Sequence, residues 1–450
     1  MRKYVFGVLV FILFCTSIHA QTFIFETIKY NITDTTNNYV EVGDNTSFRL
    51  TQNPVGGVNI PTSVNDYNDN NKSYTVTAIS DGAFYGSALT SITIGNSVTS
   101  IGDNAFTHSG LGSITIGNSV TSIGRAAFNT TYLRSIIIPD SVTSIGMGVF
   151  GACMDLESVT LGNSLTSISE GAFVGCYDLR SITIPDSVTS IGDSAFVDNG
   201  LTSIIIPDSV TSIGAGVFSG CGSLESVTIP DSVTSISLAL FYGCQALRSI
   251  TIPDSVTSIG ELAFYNTGLR SITIPDSVTS IGANAFSYCR YLEIVTIGSS
   301  VTFIDTPLFY ASESIRRVTS FNPTPPTVKE GGGYWAFDSY SYTYGTLYVP
   351  AGSESAYGNA YDWERFDNIV LNIEQLNEVT VMVYPNPVVE TLHIQLQPND
   401  RLTSVTLHNI KGQKMLKSTT KIIDLSSLTS GVYFATIITN NGKATKKIIK

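Results

Sequence analysis

Histidine is almost missing from this sequence. Beyond His19, the 450 residues hold only His108, His393 and His408. None has a Cys or a second His at ligand spacing, and none stands near a G-x-S-x-G elbow or a paired-carboxylate motif. Catalysis needs a convergent constellation of nucleophile, base and charge stabiliser. The sequence therefore reads as non-enzymatic, with no catalytic residue, no cofactor and no metal centre. Charge is sparse as well: Asp, Glu, Lys and Arg make up 13% of the residues, and the formal net charge is −12. Nucleic-acid surfaces are basic, so that class of partner is excluded. After the first twenty residues no apolar run reaches the ~18 residues that a membrane helix needs, so no transmembrane helix is expected.

Ser, Thr, Gly and Ile are abundant instead, and they are arranged periodically. Leu179 to Phe196 reads L-R-S-I-T-I-P-D-S-V-T-S-I-G-D-S-A-F. The Ser that opens S-V-T-S-I, or its nearest variant, falls at Ser97, Ser119, Ser141, Ser164, Ser187, Ser209, Ser232, Ser255, Ser277 and Ser300, at intervals of 22 or 23 residues. A fixed period in this range predicts a solenoid, in which each turn buries its apolar face only against its neighbours.

Each repeat divides in two. In Leu179 to Ile184 the spacing predicts a short strand with Leu179, Ile182 and Ile184 inward and Ser181 and Thr183 outward. Pro185-Asp186, or Gly95-Asn96 in an earlier copy, then forms a turn in which Asp or Asn bonds the following backbone. The return half, V-T-S-I-G-x-x-A-F, offers Val, Ile, Ala and Phe to the interior. Eleven Phe residues recur once per repeat, from Phe84 to Phe309, and should stack into an aromatic spine. From each Phe to the next Leu is either five or six residues, and the longer arcs of the regular repeats hold Cys153, Cys176, Cys221, Cys244 or Cys289. Bridges Cys153–Cys176 and Cys221–Cys244 fit the spacing of adjacent turns. Small buried side chains beside Phe are the preferred alternative, since the count is odd and the Cys recur at one repeat position.

The flanks differ. Arg2 and Lys3 precede an apolar run from Val5 to Phe14, and Ile18-His19-Ala20 ends in a small residue. Residues 1–20 read as a secretory signal peptide cleaved between Ala20 and Gln21. A lipoprotein alternative rests on Cys15, with bulky Phe14 where a small residue is wanted. Residues 21–73 read as an N-terminal cap, 74–321 as the repeat stack, and 322–373 as a C-terminal cap with a short helix from Ser355 to Phe366. Residues 377–450 read as a small β-sandwich of short alternating strands. There, nine Lys and Arg face four Asp and Glu, the reverse of the whole chain's balance.

The repeat L-x-S-I-T-I-P-D-S-V-T-S-I-G-x-x-A-F resembles the BspA-like leucine-rich repeats of bacterial surface proteins. So does the ending T-L-Y-V-P-A-G-S with Tyr357, Trp363 and Phe366. This resemblance covers roughly Tyr30 to Ile373 and implies a β-rich leucine-rich repeat solenoid on an exported protein used for adhesion or host contact. Tyr384-Pro385-Asn386-Pro387, His408-Asn409-Ile410-Lys411-Gly412-Gln413, Gly431-Val432-Tyr433-Phe434 and the basic tail to Lys450 resemble the C-terminal sorting domain of type IX secretion. That implies the type IX machinery as a partner, then release or attachment at the outer cell surface.

The candidate binding residues are the outward charges beside the strands: Arg134, Glu157, Arg180, Glu225, Arg248, Arg270 and Glu293. A concave face of such residues suits a host or bacterial surface protein, or a glycan. A self-associating structural component is the alternative function. The competing reading of the row is solvated charge, with Arg134–Glu157–Arg180 and Glu225–Arg248 as weak ion pairs. The turn residues Asp140, Asp186, Asp208, Asp231, Asp254 and Asp276 form an acidic stripe better explained by turn hydrogen bonds than by calcium.

Overall fold

The computed structural model describes residues 22–25, 28–43, 54–329, 334–372, 377–378, 381–397, 400–410, 413–439 and 442–450. The expected leader with Ala20 and Gln21, the stretch 373–376 and Lys411-Gly412 lie outside the described residues. The chain forms two compact units, Met1–Leu201 and Thr202–Lys450.

The first unit opens with antiparallel strands Thr22–Phe25, Ile28–Asp34 and Tyr39–Val42. Tyr39–Val42 then pairs in parallel with Lys72–Ile79. From there the ladder continues through Ser100–Ile101, Ser122–Ile123 and Ser144–Ile145, with Ser beside Ser and Ile beside Ile. A second ladder runs Gly56–Ile60, Leu89–Ile94 and Ser113–Thr115. Identical residues stack because each turn repeats the last, the defining geometry of a β-solenoid.

The repeated polar residues hold one turn to the next. The Thr143 backbone N–H and hydroxyl both donate to the Thr121 carbonyl, at 2.9 and 3.3 Å. Ser141 donates to the Val120 carbonyl at 2.7 Å. Asp140 does not bond its own following backbone, as the turn chemistry predicts; its carboxylate accepts from Asn163 N–H, one turn on, at 2.8 Å. Asn96 accepts from Asn118 in the same way, at 3.0 Å. The close approach of turns also demands glycine: a Cβ on Gly146 would stand 2.3 Å from the Arg125 nitrogen.

The interior is the Phe spine. In the first unit Phe84, Phe106, Phe128, Phe150, Phe173 and Phe196 stack at centroid separations of 5.2 to 5.4 Å. In the second, Phe218, Phe241, Phe264, Phe286, Phe309 and Phe337 do so at 4.8 to 5.7 Å. All are buried. Residues two before and two after the ring take left-handed backbone, as with Asn104 (54°) and His108 (57°) around Phe106. This alternation turns three N–H groups the same way. Asn104, Phe106 and His108 donate to the carbonyls of Arg125, Ala127 and Asn129 at 2.7, 2.7 and 3.0 Å.

Two repeats depart from the expected strand. Leu179 to Ile184 and Leu247 to Ile252 keep the inward pattern at Leu179, Ile182, Ile184, Leu247 and Ile252, yet form no strand. Each follows two successive six-residue arcs. Arg317–Ser320 also follows two such arcs and does pair, so arc length alone does not decide the strand; a cavity of about 370 Å³ lies between Ser249–Asp254 and Ser271–Pro275.

Arg317–Ser320, which reads as a fading repeat, pairs along its whole length with Ile294–Ile297 and through Arg317, Val318 and Thr319 with Thr346–Val349. The expected helix from Ser355 to Phe366 is instead helix Glu354–Tyr357 and the 3-10 turn Trp363–Arg365, and a helix Ser339–Tyr344 precedes them. Asp362, with φ of 74°, interrupts the helical path. Its buried carboxylate accepts from Tyr342 Oη at 2.5 Å and Ala336 N–H at 2.7 Å. Trp363 Nε1 donates to the Pro326 carbonyl at 2.9 Å.

The C-terminal part is a two-sheet β-sandwich. One sheet holds Asn377–Glu378, Gly442–Ile449, Val432–Thr439, Leu402–Asn409 and Lys414–Ser418; the other holds Met382–Tyr384, Thr391–Gln395 and Ile422–Asp424. Leu392, Val405, Leu407, Ile437 and Ile448 are central to the core between them. Ile422–Asp424 is a strand the sequence pattern did not single out, being only three residues long.

Candidate binding surface

The outward row follows from strand alternation. Each of its residues comes directly after a buried Leu and therefore faces solvent. In the first unit Arg134, Glu157 and Arg180 are exposed, and Glu157 N–H donates to the Arg134 carbonyl at 2.8 Å. In the second, Glu225, Arg248, Arg270 and Glu293 are exposed. Arg270 N–H meets the Arg248 carbonyl at 3.1 Å, and Glu293 N–H meets the Arg270 carbonyl at 2.9 Å. At these places the backbone holds each turn against the one before and sets one outward position per turn.

Their pairing is uneven. Arg134 and Glu157 form an ion pair at 3.1 Å, with side chains 74% and 58% exposed. Arg180 lies 3.8 Å from Asp178 on its own turn. Among the described residues no ion pair joins Glu225 to Arg248, contrary to the weak-pair expectation. Arg316 and Arg317 stand in the next turn, but each lies over a ring from the segment that follows, Tyr340 at 5.0 Å and Tyr348 at 4.3 Å.

The row is flanked by a feature that the Phe-to-Leu arcs create. Phe264 to Leu269 spans five residues, while Phe241 to Leu247 and Phe286 to Leu292 span six. The short arc is drawn inward at Gly268, whose added Cβ would meet the Gln245 carbonyl oxygen at 2.2 Å. Two cavities, about 250 and 430 Å³, share Gln245, Gly268 and Tyr291 as lining. Arg248 and Arg270 complete the first. Asn266, Tyr288 and Arg290 help complete the second. Reading the sequence turn by turn missed this hollow; a short arc between two long ones also occurs at Phe196 to Leu201, and what sets this copy apart is its Arg248, Arg270, Arg290 and Tyr291 lining.

Cys153, Cys176, Cys221, Cys244 and Cys289 are free and buried. Their role is specific: Cys153, Cys176, Cys244 and Cys289 donate to the carbonyls of Phe128, Phe150, Phe218 and Phe264, at 3.0, 3.2, 3.2 and 3.1 Å. Ser312 does the same for Phe286 at 2.8 Å. Burial pushes the Cys289 thiol from 9.0 up to about 11. These are inert structural donors, since the thiolate is the reactive form. Among the described residues no group of three or more His, Cys, Asp or Glu could hold a metal ion, and no helix is long and apolar enough to cross a membrane.

A family model for the BspA type leucine rich repeat region matches residues 77–201 and 189–316, in six copies. A second, for a secretion system C-terminal sorting domain, matches residues 382–450. Among solved structures, the pneumococcal vaccine antigen PcpA is 20% identical with a TM-score of 0.51, over 78% of this chain and 99% of that one. A leucine-rich repeat protein from Bacteroides ovatus is 29% identical with a TM-score of 0.39, over 66% and 94% of the two chains. A leucine rich cell surface protein from Faecalibacterium prausnitzii is 22% identical with a TM-score of 0.43, over 78% and 95%. No curated protein matches the chain significantly.

Proposed function

This chain belongs to the BspA-type leucine-rich repeat family and carries a type IX sorting domain, and from that premise we propose that it is an adhesin-like protein. Type IX export takes it to the cell surface or into the medium. There, in our reading, its solenoid turns hold a macromolecular partner, a host or bacterial surface protein. The observation that supports this reading is the outward row: exposed charges one per turn, each directly after a buried Leu, with Glu157, Glu225, Arg270 and Glu293 bonded through the backbone to the turn before. Such a row offers a partner regularly spaced contacts at little entropic cost, because the backbone beneath is already ordered. Repeat and sorting domains of these families are typically non-enzymatic, and we assign no catalytic residue.

We also propose the division into leader 1–20, N-terminal cap 21–73, repeats 74–321, C-terminal cap 322–373 and sorting domain 377–450. Mass determination of the protein from fractionated native cells tests both ends. A mature chain beginning at Gln21 supports the leader, and loss of the last ~70 residues supports sorting with removal. Capture of partners from host matrix or bacterial surface extracts tests the binding reading. Arg180→Glu with Arg248→Glu should abolish capture while leaving the fold intact. Capture unchanged by that pair removes the row from the proposal.

A further inference from the structure

We propose that the hollow beside Gly268 is a binding site for an acidic sugar, a carboxylate- or sulfate-bearing residue of a glycan. This deepens the reading of the solenoid as a binding module and rests on it.

The hollow is built by chain length. The five-residue arc lies between two six-residue arcs, and Gly268 lets it sit against Gln245, with Gly268 N–H on the Cys244 carbonyl at 3.3 Å. The resulting cavities, about 250 and 430 Å³, approach or reach the ~300–1,000 Å³ typical of small-ligand sites.

Its lining is cationic in an anionic chain. Arg248, Arg270 and Arg290 surround the hollow, and none of the three is in an ion pair among the described residues. The Arg134–Glu157 pair in the first unit shows what a matched pair on this row looks like. Glu225 and Glu293 flank Arg248 and Arg270 on the row but line neither cavity, and three guanidinium groups in a lining without a carboxylate favour an incoming anion, because the planar fork binds carboxylate or sulfate through two parallel hydrogen bonds.

The rest of the lining favours a sugar over an acidic peptide. Tyr291 is 63% exposed and gives an open ring face against which a pyranose can pack. Tyr288 is held as a wall by its neighbours Tyr265 and Tyr310, at 5.0 and 5.6 Å. The Gln245 and Asn266 amides offer donors and acceptors for hydroxyl groups. A peptide would need main-chain partners, as in strand addition. Here those groups are taken: Asn266, Tyr288 and Arg290 N–H groups bond the carbonyls of Ser287, Tyr310 and Tyr288, at 2.9, 2.7 and 2.9 Å.

Titration calorimetry on the full-length protein tests this, with a sulfated heparin oligosaccharide, an oligogalacturonate, a neutral chito-oligosaccharide and poly-glutamate as probes. The expected result is binding of one or both acidic oligosaccharides and none of the neutral one. Tyr291→Ala and Arg290→Ala should each weaken it about tenfold or more, the loss of one packed ring or one charged hydrogen bond, and Arg125→Ala, at an exposed residue outside both the hollow and the row, should change nothing. Melting temperatures equal to wild type show that the variants fold. No binding of either acidic oligosaccharide, or equal binding of the neutral one, overturns the proposal. So does poly-glutamate binding as well as the acidic sugars with Tyr291→Ala silent. Absence of acidic-sugar binding together with a macromolecular partner captured by wild type and lost on Arg180→Glu overturns the sugar site alone and leaves the adhesin reading standing.

Discussion

The solenoid turns and the C-terminal sandwich bury apolar surface by opposite rules. In the turns each interior place meets the same place one turn away, so Phe264 stacks between Phe241 and Phe286 at 5.4 and 5.2 Å. In the sandwich, Leu407 shares its core with Leu392, Ile423 and Ile437, drawn from different strands of both sheets. Turns add stability locally, one interface at a time. The sandwich is closed and cooperative, with a core that no partial copy could form. The difference teaches where function can enter. A repeating stack has no distinguished point until its repetition fails, and here it fails in arc length, in outward charge and at the cap.

The comparison breaks first at its cores. Phe264→Ala should cost about 3–5 kcal/mol and Leu407→Ala about 2–5 kcal/mol. The two should differ in reach more than in size. Hydrogen exchange after Phe264→Ala should accelerate in the turns around Phe241 and Phe286, while the sandwich stays protected. After Leu407→Ala the whole sandwich should lose protection together. Uniform loss across the solenoid in the first variant would sink the nearest-neighbour picture.

Next in size is the cap, where neither rule holds and a polar group is central. Asp362→Ala leaves the Tyr342 hydroxyl and the Ala336 N–H without their acceptor, and each buried orphan costs about 1–3 kcal/mol. Urea denaturation should show the loss, and Trp363 fluorescence should report it, since that ring packs against Tyr357 at 5.3 Å. An unchanged midpoint would mean that apolar contacts alone close this end.

These regions were not equally legible in the sequence. Leu179, Ile182 and Ile184 could be placed inside by alternation, and the ring at every 22 or 23 residues announced the spine. Phe337 was not, because an insertion puts it 28 residues after Phe309; the clue was the pair Ala336-Phe337, the same A-F that ends a repeat. The reach of Asp140 to Asn163 was hidden for another reason: turn chemistry is local, and this bond crosses between turns. The outward charges were visible one at a time, but which of them pair depends on rotamers. The hollow at Gly268 depends on three consecutive arcs compared together, which no single repeat records.

A smaller effect separates the backbones. The solenoid places non-glycine residues in left-handed geometry, including branched Thr130 at 53°. Among the described residues of the sandwich no non-glycine residue does so. Thr130→Gly should stabilise by about 1 kcal/mol, the strain of a Cβ in this region less the added freedom of the unfolded chain. A destabilised variant would show that the Thr130 hydroxyl bond to Asn129, at 2.8 Å, outweighs the strain.

The smallest effect decides the most about the outward row. Arg134 and Glu157 touch, but both are largely in water, so their coupling should be under about 1 kcal/mol in a double-mutant cycle and should fade in high salt. A weak coupling leaves both side chains nearly free to exchange each other for a partner, which a binding row requires. A coupling well above that value would make the pair a brace between turns. The same backbone row would then serve stability at Arg134 and recognition at Arg248 and Arg270, where no such match is present.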